Sequence, residues 1–158
     1  MSKKVCFIGH RRIGNSRLRE MIKEAVLREI EAGCRFFTMG THGDFDAMAL
    51  SVCRELRKEF DIQIEVVITS INTIKQKVEH SIWGTEVFTP YSDVKTVMYN
   101  IEDTHFKRQI IESNYQMIGA CDTLICYVDE SKLVSGARYA YQYAKKKGLR
   151  IVNLCKND

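Results

Sequence analysis

Lys4-Val5-Cys6-Phe7-Ile8-Gly9 is the stretch that decides the fold. A continuous apolar run of this length that stops at a glycine fits a strand buried on both faces and followed by a sharp turn; a strand with one wet face would alternate apolar with polar residues. Residues 16–32 follow, with Leu18, Met21, Ile22, Ala25, Val26 and Ile30 at helical spacing, Ser16 in the N-cap position and Gly33 just past the end. The unit then repeats. Arg35-Phe36-Phe37-Thr38-Met39-Gly40 is a second strand running into glycine, and residues 44–60 place Phe45, Met48, Ala49, Val52, Leu56 and Phe60 at helical spacing. Such alternation of strand and helix requires a parallel sheet, because each crossover returns the chain to the same end.

Further along, residues 62–69 supply a third strand through Ile64, Val66, Val67 and Ile68. Residues 70–100 are irregular, with an expected short helix over 73–80, Trp83, Pro90, and a fourth strand over 95–99; their length points to a lid-like insert. A helix over 103–118, a strand over 123–128, a helix over 135–147 closed by Gly148, and a last strand over 150–154 complete the pattern. The expected fold is α/β: a single Rossmann-like three-layer domain over residues 1–158, with a mostly parallel sheet and helices on both faces.

Composition agrees with one packed domain: 158 residues, 45% hydrophobic and 28% charged. The 24 basic and 20 acidic residues are interspersed, which argues against a nucleic-acid face; Lys145, Lys146, Lys147 and Arg150 cluster where they complement the negative end of a helix. Six cysteines occur without any CxxC pair, and Cys6, Cys126 and Cys155 sit in apolar runs, so reduced thiols are expected. Met1-Ser2-Lys3-Lys4 leads straight into a short strand, too short for a signal sequence or membrane span, so a cytoplasmic protein with no membrane partner is expected.

In an open parallel sheet, ligands sit beyond the carboxyl ends of the strands. Three exits share a composition suited to phosphate: Gly9-His10-Arg11-Arg12, Gly40-Thr41-His42-Gly43-Asp44, and the segment from Asp129 to Ser135-Gly136-Ala137. Glycine lets backbone approach an anion, helix N-termini offer unpaired N–H groups, Arg11 and Arg12 supply charge, and Thr41 and Ser135 supply hydroxyl donors. A glycine after a strand is more often turn chemistry alone, and it is the convergence of three that favours a site. No GxGxxG follows the first strand and no GxxxxGK[ST] occurs, which argues against a standard NAD dehydrogenase or P-loop ATPase. His10 and His42 are positioned to meet one ligand; a metal shared with Asp44 or Asp46 is the lesser reading, and no metal or other cofactor is required. Asp46 falls in the first turn of a helix, where capping competes with contact to a ribose hydroxyl. Tyr127, Tyr139, Tyr141 and Tyr143 are divided between core and surface, and His80 and His105 read as surface residues.

Cys6-Phe7-Ile8-Gly9-His10-Arg11, the turn Gly40-x-x-Gly43-x-Phe45-Asp46-x-x-Ala49, Asn114-x-x-Met117 before Cys121-Asp122-x-Leu124-Ile125, and Ser135-Gly136-Ala137 with Tyr143-Ala144-Lys145-Lys146-x-Gly148 resemble the SLOG superfamily, and most closely its YpsA-like branch. The resemblance implies a Rossmannoid sheet whose glycine turns bind nucleotides or nucleotide-derived molecules, in a superfamily that includes the LOG phosphoribohydrolases and DprA-type DNA-binding proteins. The implied ligand contacts are Gly9, His10, Arg11, Gly40, Thr41, His42, Gly43, Phe45, Asp46, Arg108, Asn114, Asp129, Ser135, Gly136 and Ala137. Where LOG enzymes carry the arginine of Arg-x-x-x-Met this chain has Ser113, with Arg108 about a helical turn away, and Gln142 lies near the position of their glutamate. The resemblance therefore implies a sensor or binding module; nucleotide N-glycosidase activity and single-stranded DNA binding stand as alternatives. Pairing into a homodimer through helix faces is in keeping with domains of this type.

Overall fold

The computed structural model describes residues 3–69, 77–99, 106–131 and 135–155. Its elements are β1 (Lys4–Gly9), α1 (Leu18–Glu31), β2 (Phe36–Met39), α2 (Asp44–Leu56), β3 (Gln63–Val67), β4 (Lys77–Ser81), β5 (Gly84–Phe88), β6 (Lys95–Val97), α3 (Phe106–Gly119), β7 (Thr123–Tyr127), α4 (Gly136–Lys147) and β8 (Arg150–Asn153). Six strands form one sheet in the order β6-β3-β2-β1-β7-β8, every neighbouring pair parallel.

Alternation along β1 builds the three layers. Val5 and Phe7 enter a core with Leu18, Ile22 and Val26 of α1 and Phe45, Ala49 and Val52 of α2. Cys6 and Ile8 point the other way, into a core with Met117 and Ile118 of α3 and Ala137, Ala140 and Ala144 of α4. Consecutive strand residues face opposite sides, so a run apolar at every position is what a strand between two helical layers needs. The chain winds outward from β1 through β2 and β3 to β6, then returns to lay β7 on the other side of β1. That reversal opens a crevice above the carboxyl ends of β1 and β7.

Several local expectations change. Residues 77–80 are not helical: they belong to β4, which pairs antiparallel with β5 in a separate hairpin. β-Branched Val78, Thr85 and Val87 favour extended backbone, and Gly84 takes the φ of 134° that closes the turn after Ile82 and Trp83. The rest of the expected 73–80 helix, the start of the helix over 103–118, and His105 lie outside the described residues. The fourth strand forms as β6, and its pairing with β3 makes it part of the main sheet. Ser16 does not cap α1: the helix begins one residue later, with Arg17 in the cap position, and Asn15 organises the entry by accepting the Arg17 N–H at 2.9 Å. Cys155 lies just past β8, not within it; all six cysteines are unbridged. Glu29 of α1 is a buried carboxylate held by Arg150 of β8 and by the Cys34 thiol, which donates at 3.5 Å. Among the described residues, no helix is long and apolar enough to cross a membrane.

Candidate anion-binding cleft

The first two glycine turns lean on each other. Gly9 ends β1 with no side chain because the Phe45 ring occupies that space: a Cβ there would meet ring atoms at 2.3–2.6 Å. Gly43 has φ 111° and ψ −177°, a conformation open essentially to glycine alone, and its backbone packs against that of Arg11, whose carbonyl accepts the Asp44 N–H at 2.8 Å. The loop after β1 is thereby clamped to the start of α2.

His10 ties the first exit to the third. Its own N–H donates to the Tyr127 carbonyl at 3.4 Å, and its Nε2 accepts the Asp129 N–H at 2.8 Å, which places the ring proton of the neutral imidazole on Nδ1. The Asp129 carboxylate meanwhile accepts from the Ser131 N–H at 3.0 Å and the Ser131 hydroxyl at 2.6 Å. On the far side, Asn153 holds the exit of β7 through both its amide nitrogen and oxygen.

These loops enclose a cleft of about 610 Å³ at the switch point, lined by Ile8, Gly9, His10, Arg11, Arg12, His42, Asp46, Ile110, Ile111, Asn114, Ser135, Gly136 and Ala137. The volume is in the range of small-molecule sites. One wall is apolar, from Ile8, Ile110 and Ile111. Arg11 and Arg12, both exposed, also line the cleft and form no ion pair among the described residues. The first turn of α4 lines the cleft as well: the Ser135 hydroxyl accepts the Arg138 N–H at 3.0 Å, and a Cβ at Gly136 would find nothing within 4 Å. The amides of Gly136 and Ala137 precede the first intrahelical bond and carry the positive end of the helix dipole. Removing the cap by Ser135→Ala is expected to lower stability by about 1 kcal/mol in chemical denaturation, while Ser135→Asn, whose side chain can accept the same bond, retains most of it.

His42 and Asp46 form the remaining corner. The Asp46 carboxyl accepts the His42 backbone N–H at 3.0 Å, and the His42 Nε2 lies 3.2 Å from the Thr69 hydroxyl at the exit of β3. Burial, and then the neighbouring Arg11 charge, lower the His42 pKa below the ordinary imidazole value. Burial pushes the Asp46 carboxyl up to about 7, against the pull of its one backbone hydrogen bond. Gly40 makes room for that carboxyl; a Cβ there would sit 3.0 Å from its oxygen.

The cleft thus gathers Gly9, His10, Arg11, His42, Asp46, Asn114, Ser135, Gly136 and Ala137, together with Arg12. Other expected contacts stand elsewhere. Phe45 is 1% exposed and props Gly9 from the core side, because the odd-numbered face of β1 points to α2. Gly40 and Gly43 back the cleft by accommodating Asp46 and Arg11. Thr41 is absent from the lining, and Arg108 is paired with Glu112 at 3.0 Å along α3. Asp129 reaches the site through its backbone bond to His10. Ile110 and Ile111 were not singled out in the sequence; their apolar character at helical spacing is indistinguishable there from core packing. Tyr143 stacks on Tyr115 of α3 at 4.4 Å between ring centroids, whereas Tyr139 is exposed. His80, on β4, is exposed as expected.

The model of the YspA SLOG family, YpsA, matches residues 2–153. No curated protein matches the chain. Among solved structures, the chain is similar to DNA processing protein A from Helicobacter pylori, described for its single-stranded DNA binding mode, with TM-score 0.65 and 15% identity. The likeness covers 98% of this chain and 66% of that one, so the chain spans just under two thirds of that protein's length.

Proposed function

The chain belongs to the YspA SLOG family, and from that premise we propose that it binds a nucleotide or nucleotide-derived molecule, its phosphate held at the carboxyl ends of β1, β2 and β7. One observation carries the reading: two arginines without ion-pair partners among the described residues line the same cleft as the first turn of α4, Ser135, Gly136 and Ala137. Phosphate is the group that such amides and guanidinium forks recognise together. The apolar wall of Ile8, Ile110 and Ile111 suits the face of a base, and the Asn114 amide suits its polar edge or a ribose hydroxyl. Binding is favoured over N-glycosidic cleavage, because Ser113, at the position of the LOG arginine, is 3% exposed with a hydroxyl that has no hydrogen-bond partner among the described residues.

Titration with adenosine 5′-monophosphate by calorimetry is the test, beside absorbance near 260 nm of the purified protein. Saturable binding is expected, and Arg11→Ala and Arg12→Ala each weaken it by about tenfold or more, as loss of a charge-assisted hydrogen bond does. An absence of binding across purine and pyrimidine monophosphates would overturn the reading. The likeness to DNA processing protein A supports a second one, in which the same arginines meet the backbone of single-stranded DNA. That reading requires oligonucleotide affinity that falls steeply with salt.

A further inference from the structure

We propose that the cleft takes up its anionic ligand together with one proton, carried by Asp46, so that this side chain donates a hydrogen bond to the ligand instead of repelling it. The inference rests on the reading of the cleft as an anion site and adds to it how that site is regulated.

The geometry sets the problem that a proton solves. Among the described residues, Asp46 is the only carboxylate lining the cleft, and it stands in the same cavity as Arg11, Arg12 and the amides of α4. No cation pairs with it among the described residues; its one hydrogen bond is the His42 N–H. An ionised carboxylate there would face an incoming phosphate as a like charge in a partly desolvated space, where Coulomb repulsion is poorly screened. A protonated one offers an O–H donor and no charge. Burial already holds the group near the point where both forms are populated at neutral pH, so the proton costs little to supply.

The other titratable and charged groups around Asp46 are few. From the loop after β1 come Arg11, Arg12 and His10, whose Nε2 is occupied by the Asp129 N–H. From the loop after β2 comes His42, whose pKa is displaced downward. From the connection between β5 and β6 comes Tyr91, displaced upward by burial, the nearby Asp46 charge adding to that shift. The displacements of His42 and Tyr91 both lead away from neutral pH, whereas that of Asp46 leads toward it.

The probe is adenosine 5′-monophosphate beside its methyl ester, which has no ionisation of its own between pH 5 and 9. For wild-type protein, affinity for the ester is expected to fall about tenfold between pH 6 and pH 8.5, the change that one pKa unit of coupling produces. Calorimetry in buffers of different ionisation enthalpy should show net proton uptake at pH 7.5, a readout that needs no variant. Asp46→Asn, which keeps the shape without the charge, should bind the ester at pH 8.5 as tightly as wild type does at pH 6, with no proton uptake. Tight wild-type binding with a flat pH profile and no proton uptake would overturn the inference and leave the anion site standing. Proton uptake that persists in Asp46→Asn would assign it to another group and also overturn it. If neither probe binds at any pH, the anion site falls and the inference falls with it.

Discussion

Gly43→Ala is expected to cost about 4 kcal/mol, a large part of the stability of a domain of this size. Two independent penalties add. The backbone at Gly43 has φ 111° and ψ −177°, where a side chain is strained in any surroundings. A Cβ would also lie 2.5 Å from Cα and 3.0 Å from the carbonyl oxygen of Arg11, and neither can rotate away. The denaturation midpoint reports the loss. Because the obstacle is backbone, trimming the Arg11 side chain by Arg11→Ala should return none of it; a substantial rescue would show that the two turns do not meet as described.

Gly9→Ala produces a similar loss by a different route, about 3 kcal/mol from overpacking. The new methyl would fall 2.3 Å from Cγ of Phe45, a side chain that is fully enclosed between β1 and α2 and packs against Phe7 at 6.3 Å. Here the obstacle is removable. Phe45→Leu alone is destabilising because it empties core volume, yet in the Gly9→Ala background it relieves the clash, so the double variant should be more stable than the sum of the two losses by about 1–2 kcal/mol. Strict additivity in a double-mutant cycle would refute the contact. Together the two glycines explain why the exit of β1 and the entry of α2 form one unit: one admits a ring beneath the strand, and the other admits a neighbouring backbone.

Much of this architecture can be read from the chain. The apolar run ending at Gly9, its repeat ending at Gly40, and the amphipathic segments after each contain their own instructions, because strand burial, helix periodicity and glycine turns depend on residues close in sequence. Ser135 as N-cap and Gly148, with φ 81°, as helix stop are equally local. The hairpin of β4 and β5 was not legible, since its stability comes from pairing between segments whose individual preferences are weak.

The candidate site divides along the same line. That Gly9, Arg11 and Gly136 lie at strand exits follows from chain order, and a parallel sheet puts every such exit on one edge. Which side chains face the cleft does not follow, since Phe45 and Asp46 are neighbours in sequence yet one seals the core and the other lines the cavity. The upward displacement of the Asp46 pKa lies further still from the sequence, because it comes from burial by segments that only the folded chain brings to it. Order and periodicity along the chain determined the fold and the edge where chemistry gathers. Tertiary packing alone decided orientation and charge, because burial and desolvation are set by residues that only the folded chain brings together.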